Sequence, residues 1–76
     1  MSKLDYFAEL GTELDCESYR WLVDNHSKIA EAVETAVLRG ATPDSIRRYV
    51  LEWLGPERNG LAQRCQSAAR FLEASK

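Results

Sequence analysis

The chain has 76 residues, 45% apolar and 29% charged, with 12 acids against 10 bases. That length holds one domain, residues 1–76, and leaves little room for both a packed core and an enclosed substrate cavity. The net charge of −2 lacks the basic excess usual in a nucleic-acid binder, and no stretch approaches the roughly 20 apolar residues that cross a bilayer.

Taken in chain order, the apolar period is helical. Ser2 caps a first short helix carrying Leu4, Phe7, Ala8 and Leu10, which Gly11 ends. A second runs from about Asp15 to Asp24, with Cys16, Tyr19, Leu22 and Val23 on one side and Trp21 nearly opposite. The third spans about Ser27 to Arg39, where Ile29, Val33, Ala36 and Val37 form one apolar stripe. Gly40 then suits a left-handed exit. Thr42-Pro43-Asp44 is a strong start signal: a capping hydroxyl, a φ preset for the first helical position, and an acid at the positive end of the dipole. The fourth helix therefore runs from Pro43 to about Leu54, burying Ile46, Tyr49, Val50, Trp53 and Leu54, and Gly55-Pro56 stops it. Asn59 is the expected cap of the last helix, whose Leu61, Cys65, Ala68 and Leu72 repeat as a packing seam. No alternating β-branched run appears. The expected fold is all-α, a compact orthogonal or up-down bundle of four to five short helices.

Two cysteines, Cys16 and Cys65, are too few for a secreted disulfide framework. The start, Met1-Ser2-Lys3-Leu4-Asp5, meets an acid too early to read as a signal peptide, so a cytoplasmic protein with both thiols reduced is expected. Neither cysteine has a second ligand at zinc spacing, and the lone His26 reads as a capping or surface residue. No metal, cofactor or catalytic set is expected. Glu13, Asp15 and Glu17 lack the glycine and final glutamate of a calcium loop.

Charge is unevenly spread. Residues 1–38 hold eight acids against Lys3, Arg20 and Lys28, whereas residues 39–64 hold five arginines against three acids. Arginine suits flat, bidentate contacts to carboxylate or phosphate. Three apolar side chains also fall off the expected core stripes: Leu51 by about 120°, Phe71 by about 100°, and Trp21. Beside Arg47, Arg48 and Arg64 they have the composition of an interface centre. The expected function is a non-enzymatic interaction module, adaptor or inhibitor. Its partner would be another protein or a second copy, bound through Arg47, Arg48, Leu51, Arg64, Phe71 and Trp21.

Residues 32–51 carry an alternative. Two helices joined by Gly40-Ala41-Thr42, with Ala36 before and Ile46 and Tyr49 after, resemble a helix-turn-helix unit. The resemblance implies a DNA-binding regulator in which Arg47 and Arg48 of the second helix reach bases or phosphates. Thr35 and Arg39 stand where that motif uses apolar side chains.

Overall fold

The computed structural model describes residues 15–75. The expected first helix, with its Ser2 cap and Gly11 stop, lies outside them. The described chain forms α1 over residues 15–25, α2 (Ser27–Leu38), α3 (Pro43–Leu54), a 3-10 turn (Pro56–Arg58) and α4 (Asn59–Ala74). No strand occurs among the described residues, so the fold is the expected small all-α bundle.

Local chemistry sets each boundary. Between α1 and α2 a single residue breaks the ladder: His26 leaves helical geometry at φ −143°, ψ 62°. Its side chain makes no capping bond. Asn25 Nδ2 instead donates to the Trp21 carbonyl at 2.9 Å, satisfying an acceptor in the last turn of α1. After α2, Gly40 adopts φ +93°, which an L side chain rarely tolerates. The Ala41 N–H then reaches the Ala36 carbonyl and the Gly40 N–H that of Val37, both at 3.0 Å, the pairing of a Schellman close. α3 opens with a reciprocal capping box in which Thr42 Oγ1 accepts from the Ser45 N–H at 3.2 Å. Ser45 Oγ accepts from the Thr42 N–H at 3.1 Å. Gly55, again at φ +93°, and Pro56 end it. Asn59 does not cap α4: it is already helical, and its Oδ1 accepts from Arg47 at 3.4 Å.

α4 is the central post. Its buried face is built of small side chains, Ala62, Cys65, Ala68 and Ala69, all at 0% exposure. Their size lets neighbouring helices approach closely. α3 lies along it in the opposite sense, tied by Gln66 Nε2 donating to Asp44 Oδ1 at 2.7 Å. α1 also runs antiparallel to it, with Asp15 beside Arg70 (3.5 Å) at one end and Trp21 beside Arg64 at the other. Leu22 of α1, Ala30, Val33 and Val37 of α2, and Ile46 and Val50 of α3 complete the core.

Three expected core residues of α3 are not in it. Tyr49 is 59% exposed, Trp53 74% and Leu54 39%. α3 leans onto α4 through Ile46 and Val50, while α2 and α3 touch least of the pairs among α2, α3 and α4. Among the described residues no other helix packs on that flank of α3, and its side chains are exposed. Val23, placed with Tyr19 and Leu22, is also exposed, and Leu61 and Leu72 are half-buried edges of a seam whose centre is alanine and cysteine.

Candidate functional site

The divergence of α2 from α3 leaves a groove of about 650 Å³. Val33, Ile46 and Val50, all buried, form its floor. Ile29, Ala32 and Ala36 build the α2 wall, and Ala41 closes the narrow end where the Schellman turn pins the two helices together. The α3 wall carries Tyr49, Trp53 and Leu54. Tyr49 and Trp53 are one helical turn apart, and their rings stack at 6.0 Å with 22° between planes. That contact holds the most exposed aromatic pair of the described residues at the groove's mouth. Among the described residues Lys28 is the one charged residue in the lining. The small side chains on α2 matter as much as the rings on α3, because alanine at positions 32 and 36 leaves the space a larger residue would fill.

The two ring residues were missed because their spacing matches a core stripe. A signal did exist. At 100° per residue, Tyr49, Trp53, Ile46, Val50, Leu54 and Leu51 span about 200° of α3. One neighbouring helix does not cover an arc that wide, so part of it had to face something else.

The residues singled out from the sequence do not line this groove, and all but Arg48 make contacts within the protomer. The Arg64 guanidinium stands 4.2 Å over the Trp21 ring, and the His26 ring lies 5.2 Å from the same indole. Trp21 is thus half-buried between two polar covers. Phe71 is half-buried against Tyr19, ring centroids 5.6 Å apart. Leu51 is half-buried against the core, and Arg47 leans on Asn59. Arg48 and the head of Arg64 are exposed. The structure therefore joins Trp21 to Arg64 but leaves no large open aromatic among these six.

Two titratable groups are shaped by their surroundings. Tyr19 donates its hydroxyl hydrogen bond to Glu34 Oε1, which with partial burial raises the phenol above its ordinary value. Burial pushes the Cys65 thiol up to about 11, so it stays protonated near neutrality. Cys16 and Cys65 are both free. Among the described residues no three His, Cys, Asp or Glu side chains converge as a metal site. No described helix is long and apolar enough to cross a membrane. What the groove offers chemically is apolar contact, two stacked rings and one ammonium.

No family model, curated protein or solved structure matches the chain.

Proposed function

We propose that this chain is a non-enzymatic protein-interaction module and that the α2–α3 groove is its docking surface. The observation that carries this reading is the exposed Tyr49–Trp53 pair at the mouth of an apolar groove. Covering the two rings alone would remove roughly 250–300 Å² from water, a large part of one side of a small interface. Aromatic side chains beside a preformed pocket are where binding energy concentrates. The groove is apolar and walled by two helices, a setting that suits an amphipathic helix laid between them.

The test uses the full chain and a synthetic three-turn helical peptide. The peptide carries leucines at i, i+3 (or i+4) and i+7 and uncharged polar residues elsewhere. Amide shifts on titration should concentrate at Ala32, Ala36, Ala41 and residues 45–54, and Ala32→Glu should abolish them. Ala32 is exposed, so this change leaves the core intact. An absence of shifts, or shifts centred on Arg47, Arg64 and Phe71, would rule the groove out as the docking surface.

A further inference from the structure

α3 carries its exposed side chains along two flanks. Tyr49 and Trp53 lie together on the groove side, and Arg48 and Glu52 lie about 100° around the helix from them. All four are exposed, and each pair is spaced i, i+4. Among the described residues neither Arg48 nor Glu52 makes an ion pair, although their spacing allows one. The groove lining selects no sign of charge, since Lys28 has Glu31 one turn further along α2. Symmetry does select. A copy of α3 laid antiparallel beside the first, about a two-fold axis near residue 50, sets Arg48 against the copy's Glu52 and Glu52 against its Arg48. On the other flank the same operation sets Tyr49 against the copy's Trp53 and Trp53 against its Tyr49. One axis serves both flanks, because the midpoints of the two pairs differ by a single residue, about 1.5 Å along the helix. The charges and the rings are therefore self-complementary in one register.

We infer that the occupant is a second copy of this chain, docked as a two-fold dimer in which the two α3 helices lie antiparallel and each protomer's rings cover the other's groove mouth. This inference rests on the docking reading above and names the partner. The area agrees with it. A two-fold contact counts each group twice, so the four rings alone cover roughly 500–600 Å², close to half of the roughly 1,200 Å² at which specific interfaces begin. Ala32 and Leu54 of the groove, both exposed, and the stems of Arg48 and Glu52 add to that. A contact of this size, with charges along one flank, suits a reversible dimer rather than a permanent one.

Sedimentation equilibrium of the full chain at low salt tests this. The wild type should self-associate reversibly, and Trp53→Ala, a change at an exposed position, should weaken the dimer by about tenfold or more. Arg48→Glu and Glu52→Arg should each weaken it about tenfold, because each replaces two exposed attractions across the axis with two repulsions. The double exchange Arg48→Glu, Glu52→Arg should restore the wild-type affinity to within a few-fold, and both positions are exposed, so the fold is unaffected. The single changes move the net charge in opposite directions, so a general charge effect would weaken one dimer and strengthen the other. That pattern, a double exchange that restores nothing, or a dimer indifferent to Trp53→Ala would overturn the inference. A chain that stays monomeric up to millimolar concentration would overturn it too, while leaving groove docking to the peptide titration. A monomer that dimerises only as Phe7→Asp would assign the groove to the chain's own amino-terminal segment, against a second copy.

Discussion

Cys65 shows how far a single side chain is shaped by its surroundings here. It sits at 0% exposure among three alanines of α4, and removing its sulfur from water makes the thiolate costly. The folded thiol holds its proton until about 11, whereas the unfolded chain releases it near 9.0. Between those values unfolding therefore liberates a proton, and alkali favours the unfolded state. Tyr19 acts in the same direction, because its Glu34 hydrogen bond exists for the neutral phenol. The urea midpoint should fall steadily as pH rises from about 9 to about 11, and Cys65→Ala should flatten part of that slope. A midpoint level across the range would show that neither group is held as described. The half-buried Cys16 should meanwhile react first with an alkylating reagent in the native state.

At the scale of the element, much was legible. The Thr42-Pro43 start and the Gly55-Pro56 stop bound α3 as read, because caps are local chemistry and need no knowledge of the neighbours. Thr42→Ala removes one acceptor from the reciprocal box and should cost about 1 kcal/mol in urea unfolding, without changing the groove. The all-α class and the α2 stripe were legible for a similar reason, since periodicity reports which face is apolar. What periodicity does not report is whether anything stands opposite that face. Tyr49 and Trp53 look like core by spacing, and their exposure depends on where α2 ends up, a tertiary fact. Asn59 failed as a cap for a related reason: the preceding 3-10 turn carries the chain into α4 before the side chain can serve. Trp21 was read as spare because the Arg64 that covers it arrives from a helix more than forty positions away. Which aromatics the fold leaves exposed, Tyr49 and Trp53 rather than Trp21, was therefore not legible from spacing.

Across the described residues the bundle is organised around α4, with three helices drawn to one small-residue post and a groove between α2 and α3. Arginines and acids on the α1 and α4 flank satisfy one another or cover aromatics, as Asp15–Arg70 and Trp21–Arg64 do. Among the described residues no ion pair lies on the α2–α3 flank. Of the cations in the described residues, Arg70 pairs with Asp15, Arg64 covers Trp21 and Arg47 leans on Asn59.

A lean interior has a thermodynamic corollary. Among the described residues no large side chain apart from Leu22 and Cys65 is fully sealed from solvent, and much of the interior contact is made by alanine. Such a molecule has a modest reserve against heat. Any occupant that requires α2 and α3 in their present positions binds the native form alone and drags the melting equilibrium with it. At a hundred times its dissociation constant, the leucine-patterned peptide should add about 2.7 kcal/mol of resistance to unfolding, raising the melting temperature by several degrees or more. Calorimetry across a peptide series would read that upward drift directly, and a transition unmoved at saturation would mean the peptide does not recognise the folded groove. Partner and fold would then be mutual supports, each strengthening the other's hold.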